Sequence, residues 1–191
     1  MALVSRTHGV RPAPEDAVSA SRGGSTAHPK RQRAGSAGPD AATDPLERTL
    51  IGRAVVPGSA EGSALVTVEP LSLWGGLNAH TGEIIDRRHE RSGEIVSGRV
   101  FVLPQGRGSS TASAVLLESV KAGRAPAAII NARLDPILAL GSILADELYH
   151  QPVPVVILAQ ADFDSIREGD YVIIQPDGTV HIEQRETHPR S

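Results

Sequence analysis

Residues 127–158 read AAIINARLDPILALGSILADELYHQPVPVVIL. The opening run, 127–130, is wholly apolar, as expected of a strand covered on both faces. Residues 135–149 then place Ile137, Leu138, Leu140, Ile143, Leu144 and Leu148 at helical spacing. Residues 152–158 make another apolar strand. A strand, a helix and a strand in this order imply parallel neighbours joined by a right-handed crossover.

The same path repeats upstream. Residues 94–98 lead into a compact β-rich run at 99–103, ended by Pro104. A polar loop, Gln105-Gly106-Arg107-Gly108-Ser109-Ser110, follows, and then a helix over 111–122 with Val115, Leu116 and Val120 on its apolar side and Gly123 as its stop. Downstream, 171–175 and 179–183 form a hairpin across Pro176-Asp177-Gly178. Towards the N-terminus, 51–56 and 64–68 read as strands around a Pro57-Gly58 turn, 71–82 as loop and 83–86 as a short strand. The doubled β-α-β path with added antiparallel strands predicts an α/β fold, a three-layer β/β/α domain of about seven to nine short strands and two main helices.

Composition narrows the function classes. The 191 residues contain no cysteine, which excludes disulfides, a thiolate nucleophile and cysteine-ligated metal from this chain. The net charge is −3 and only five residues are aromatic, which argues against a nucleic-acid binder. No apolar run reaches the length of a membrane span, and no apolar stretch follows Met1 as in a secretory signal. The expectation is a cytoplasmic protein with no membrane partner.

Residues 1–47 hold 5 Gly and 5 Pro, with Lys30-Arg31-Gln32-Arg33 as a small basic cluster. Such a composition buries too little apolar surface to offset its ordering entropy, so it reads as a disordered extension. The cluster is too short to argue for a nucleic-acid arm. The domain is expected over 48–185, with a further tail at 186–191.

The loop at 105–111 is the strongest site signal. Its glycines allow close approach of backbone to a ligand, the helix start offers free N–H groups and partial positive charge, and Arg107 adds a planar fork suited to carboxylate or phosphate. Ser109 or Ser110 as a simple N-cap is the plainer alternative, although one cap accounts for only one of three successive hydroxyls. The loop is neither a Walker A motif nor a dinucleotide fingerprint. A serine oxygen can remove a proton only if its alkoxide is stabilised, and a guanidinium beside a helix start acts in that direction. A second signal, Leu73-Trp74-Gly75-Gly76, reads either as a loop anchored by a packed tryptophan or as a substrate-lining or interface loop. Asp135, before Pro136, reads as the cap of its helix. Asn131 and Arg133, after a buried strand, are secondary ligand candidates. The histidines lack metal-ligand spacing.

The ordered motifs Leu71-Ser72-Leu73-Trp74-Gly75-Gly76, Thr81-Gly82, Gly98-Arg99-Val100, Leu103-Pro104-Gln105-Gly106-Arg107-Gly108-Ser109-Ser110-Thr111, Ala125-Pro126-Ala127-Ala128 and Asp135-Pro136-Ile137-Leu138-Ala139-Leu140-Gly141 resemble the small subunit of aconitase X, the phosphomevalonate dehydratase small-subunit-like domain. The resemblance covers about 50–183. It implies a swivelling β/β/α domain, a large aconitase X subunit as partner, and an iron or iron–sulfur centre on that subunit, with no metal or cofactor on this chain. It makes Ser109 the catalytic base and assigns Arg107, Gly108, Ser110, Thr111, Gly75 and Gly76 to binding a small anionic substrate. It implies a hydro-lyase, the 74–89 segment being most similar to bacterial cis-3-hydroxy-L-proline dehydratases, which form a pyrroline-2-carboxylate. Mevalonate 5-phosphate dehydration is the alternative substrate, and a non-catalytic swivelling interaction module the alternative of another class. Phosphohistidine carrier domains share the strand–helix order, but 131–146 contains no histidine to carry the phosphate.

Overall fold

A computed structural model of the chain describes residues 47–108 and 110–183. The extension expected over 1–47 lies outside them apart from Glu47, as does the tail at 186–191. The fold follows from one central strand. In β6 (Val100–Leu103) all four side chains are buried, so both faces of the strand must be covered. Val100 and Val102 face one apolar cluster, Phe101 and Leu103 another. The neighbouring β7 (Ala128–Asn131) divides its side chains the same way, Ala128 and Ile130 against Ile129. Such runs lack polar alternation because neither face meets water.

On one side, α2 (Thr111–Lys121) and α3 (Pro136–Tyr149) supply Leu116, Val120, Leu138 and Ala145 to the cluster of Phe101 and Leu103. The helices approach closely at Gly141, where a Cβ would stand 2.8 Å from the Ser113 carbonyl oxygen. On the other side lies the second sheet: β1 (Glu47–Ile51), β9 (Tyr171–Ile174) and β10 (Thr179–Glu183) contribute Leu50, Val172, Ile174, Val180 and Ile182. The result is the three-layer β/β/α arrangement that the sequence predicts.

One strand belongs to both sheets. β3 (Ala60–Val66) pairs antiparallel with β9 through Ala60–Ser63 and parallel with β6 through Ala64–Val66. Parallel pairing continues through β6, β7 and β8 (Val155–Ile157), and β2 (Arg53–Val56) closes this sheet antiparallel to β8. The full order is β1-β10-β9-β3-β6-β7-β8-β2. The first and last strands of that order are consecutive in the chain, with Gly52 alone between them. The expected single strand at 51–56 is therefore two strands in two sheets. Gly52 N donates to Gly178 O at 3.1 Å. A Cβ on Gly52 would lie 2.5 Å from Val156 Cγ1, so only glycine turns this corner without displacing a neighbour.

Other differences are local. Residues 71–82, expected as loop, contain a kinked turn, α1 (Leu73–Gly76), and a two-residue ribbon of β4 (Leu77–Asn78) with β5 (Glu83–Ile84). Trp74 and Gly75 have non-helical angles inside α1, which is why no helical period marks it. A one-turn helix, α4 (Gln160–Phe163), also escaped the sequence reading, being too short to carry a period. The described residues thus hold ten strands, two of them only two residues long.

Candidate active site

The parallel strands β3, β6 and β7 all end on the side where α2 and α3 begin, the usual place for a ligand in parallel sheets. The loop after β6 crosses this end. Gly106 bridges in parallel to Leu71, beyond β3, and Arg107 N donates to Leu71 O at 3.0 Å. From the other side Gly106 N donates to Asp135 Oδ2 at 2.7 Å. Between these elements lies a cleft of about 210 Å³. Leu71, Leu73, Leu134 and Ile137 form its apolar wall, and Gln105, Gly106, Arg107, Gly108 and Asp135 its polar one.

The two helix starts at this cleft differ. Asp135 has extended backbone angles and caps α3 with its side chain, Oδ1 accepting from Ile137 N at 2.9 Å and Leu138 N at 3.1 Å. The capping role expected for Asp135 is present, and a carboxylate already occupies that positive end. At α2, Ser110 stands in the cap position with φ −53° and ψ −22°, and its hydroxyl makes no capping bond. Its carbonyl accepts from Ser113 Oγ at 2.7 Å instead. The simple-cap alternative thus fails for Ser110. No acid sits in the first turn of α2, so its dipole is not offset by a side chain there.

Arg107 is exposed, with Nη2 at 4.0 Å from Asp86 Oδ2. Gly108 has φ +111°, the left-handed region that favours glycine, and a Cβ would meet Ser72 Oγ at 3.2 Å. Thr111 opens α2. Ser109 lies outside the described residues, between Gly108 and Ser110, which are described. Gly75 and Gly76 belong to α1, next to the cleft residue Leu73, and neither lines the cleft itself. Gly75 has φ +74° and open space around it, whereas Gly76 is buried and its carbonyl accepts from Ile85 N at 2.8 Å.

Trp74 does not anchor its loop. It is 60% exposed, which removes the packed-tryptophan reading. Asn131 is fully buried and donates Nδ2 to Leu103 O at 2.9 Å, tying the ends of β6 and β7. Arg133 is exposed, and its backbone N–H bonds to Pro104 O. The histidines stay apart: His89 is buried against Glu69 O, His181 bonds Thr49, and His80 stands exposed beside Glu118. Among the described residues no three His, Asp or Glu side chains converge where a metal ion could sit. Sequence reasoning missed the apolar wall and the bond from Gly106 to Asp135. An Asp-Pro pair signals a cap, but nothing local signals a partner 29 residues away.

A family model described as the aconitase X swivel domain matches residues 49–182. The chain belongs to the aconitase X swivel domain family. Its relatives are named dehydratases. It is 45% identical over 117 residues to a cis-3-hydroxy-L-proline dehydratase of Pseudomonas aeruginosa, covering 61% of this chain and 20% of that protein. A second of that name, from Hypocrea jecorina, is 39% identical over 133 residues, or 70% and 22%. The chain thus spans about a fifth of the length of these two dehydratases. It is also 36% identical over 124 residues to a phosphomevalonate dehydratase small subunit of Methanosarcina acetivorans, covering 64% of this chain and 82% of that one. The crystal structure of Thermococcus kodakaraensis aconitase X in its holo-form superimposes with a TM-score of 0.65 at 32% identity, over 72% of this swivel-domain chain and 99% of the other. Among the described residues no helix is long and apolar enough to cross a membrane.

Proposed function

We propose that this chain is the serine-bearing swivel component of a hydro-lyase that acts with a large aconitase X subunit. The proposed reaction converts cis-3-hydroxy-L-proline to pyrroline-2-carboxylate and water. One observation carries the reading: the loop holding Arg107 and Gly108 forms the polar wall of a cleft at the ends of three parallel strands, beside a helix start where the Ser110 hydroxyl makes no capping bond.

In this reading Ser109 takes the proton from the carbon bearing the carboxylate. The electron pair of that C–H bond forms a carbon–carbon double bond as the C–O bond to the 3-hydroxyl breaks. The hydroxyl takes up a proton from solvent and leaves as water, Ser109 returns its own proton to solvent, and the resulting enamine shifts a proton from nitrogen to carbon to give the cyclic imine. The Arg107 guanidinium binds the substrate carboxylate and, with the first turn of α2, favours the anionic serine oxygen. Gly108, Ser110, Thr111, Gly75 and Gly76 are proposed to shape and line the rest of the substrate site once the partner completes it. Among the described residues no His, Asp or Glu cluster could hold a metal ion, and the iron or iron–sulfur group is proposed to be carried by the large subunit.

Two substrates compete. Identity favours hydroxyproline through one relative at 45%, while the second of that name, at 39%, lies level with phosphomevalonate small subunits at 36% and 40%. The phosphomevalonate small subunits are matched over 82% or more of their own length. Co-expressing the chain with a large subunit and assaying both substrates anaerobically with iron separates them. Turnover of cis-3-hydroxy-L-proline is expected, and Ser109→Ala should lower it by about a hundredfold or more, as loss of a general base does. Equal turnover by both forms would leave Ser109 without a catalytic role and favour a non-catalytic interaction module. Turnover of mevalonate 5-phosphate alone would replace the substrate and keep the family chemistry.

A further inference from the structure

We propose that Asp135 is a positioning residue for the 105–108 loop, a role additional to capping α3; this rests on the reading of that loop as the catalytic one. The argument starts from how the carboxylate divides its oxygens. Both capping bonds, from Ile137 N and Leu138 N, end on Oδ1. That is all α3 needs from its cap. Oδ2 accepts from Gly106 N at 2.7 Å, 29 residues back in the chain and on a different loop. One buried carboxylate therefore joins the start of one helix to the loop that leads into the other.

The fit is tight. A Cβ on Gly106 would lie 2.2 Å from Asp135 Oδ2, so only glycine lets the backbone reach the carboxylate this closely. The opposite side of the loop is held by Arg107 N donating to Leu71 O. Residues 106 and 107 thus have one lateral anchor on each side, and both precede Ser109 by no more than three positions. An N–H bond to a carboxylate is stronger than one to a neutral acceptor. Release of that anchor frees the loop to drift, and small displacements of a reacting group cost large factors in rate.

Asparagine separates the two roles. Asn caps helices about as well as Asp, so Asp135→Asn keeps an oxygen for Ile137 and Leu138. Its amide nitrogen then faces Gly106 N, donor against donor, and the loop anchor is lost. In the full chain, amide hydrogen exchange of Gly106 should accelerate at least about tenfold while Ile137 and Leu138 keep their protection. In the complex with the large subunit, kcat should fall by about tenfold to a hundredfold, with KM changing much less. Gly106→Ala breaks the same contact from the other side. It should reproduce the kcat loss, and the double variant should lose little more than either single one.

Unchanged Gly106 exchange in Asp135→Asn overturns the proposal. So does loss of protection at all three amides together, which would make Asp135 a cap alone, and so does an additive double variant. If the wild-type complex dehydrates neither substrate, the catalytic reading of the loop fails, and the amide exchange still decides whether Asp135 anchors it.

Discussion

Arg107, in the polar wall of the cleft, stands opposite Asp86, Nη2 to Oδ2 at 4.0 Å. Asp86 also accepts from Arg88 N at 3.0 Å, which holds its carboxylate in place. An exposed pair at this separation is weak, about 0.2–1 kcal/mol, and a bound carboxylate can displace it. Arg107→Ala should raise KM for an anionic substrate by about tenfold or more, through loss of a charge-assisted bond. Asp86→Asn should leave KM unchanged or lower it. Steady-state kinetics of the two variants checks this, and a higher KM in Asp86→Asn would mean that the aspartate orients the guanidinium rather than competing for it.

The corner between the sheets predicts a stability effect remote from the site. Gly178 has φ +93°, and a Cβ there would meet Ala54 N at 2.7 Å and Gly52 O at 2.8 Å. Both are backbone atoms and cannot rotate away. Gly178→Ala should destabilise the chain by about 2–4 kcal/mol, combining left-handed strain with a steric shift. Thermal unfolding should show a lower midpoint, with kcat unaltered below it. An unshifted midpoint would mean that the corner relaxes freely.

The hairpin turn carries the pH prediction. Asp177 Oδ1 accepts from Thr179 N at 2.9 Å, and the backbone and side chain of Thr179 hold its carboxyl below the usual carboxylate value. A depressed folded-state pKa contributes stability that is complete above the ordinary value and is lost as pH falls through the lower one. Carboxyl NMR titration of Asp177 should therefore give a midpoint below about 3.9. A midpoint at or above that value would mean that the bond to Thr179 does not persist in solution.

The layers of the fold are legible because burial on two faces writes itself as an unbroken apolar run at 100–103 and 127–130, and burial on one face as a helical period at 111–122 and 135–149. The site loop is legible too, since Gly106, Arg107 and Gly108 between a strand and a helix carry recognisable chemistry. Contacts between distant segments are not. The break at Gly52 is invisible because Leu50 and Ile51 before it and Ala54, Val55 and Val56 after it are all apolar, and only the partners of β1 and β2 differ. The bond from Gly106 to Asp135 is invisible because either residue has a sufficient local explanation alone. Trp74 shows the reverse case: a lone tryptophan beside two glycines suggests an anchor, and it stands exposed.

Glu47, at the start of β1, is the ladder partner of Glu183, at the end of β10. Antiparallel partners have Cα atoms about 5 Å apart, so the chain enters and leaves the domain at one place. A unit with adjacent entry and exit can be spliced into a longer polypeptide at a surface turn without being pulled open. This gives a mechanical reason why the same module makes up a fifth of one dehydratase and most of a separate subunit in another. Gene fusion would need to supply only connecting residues, because the two ends already meet.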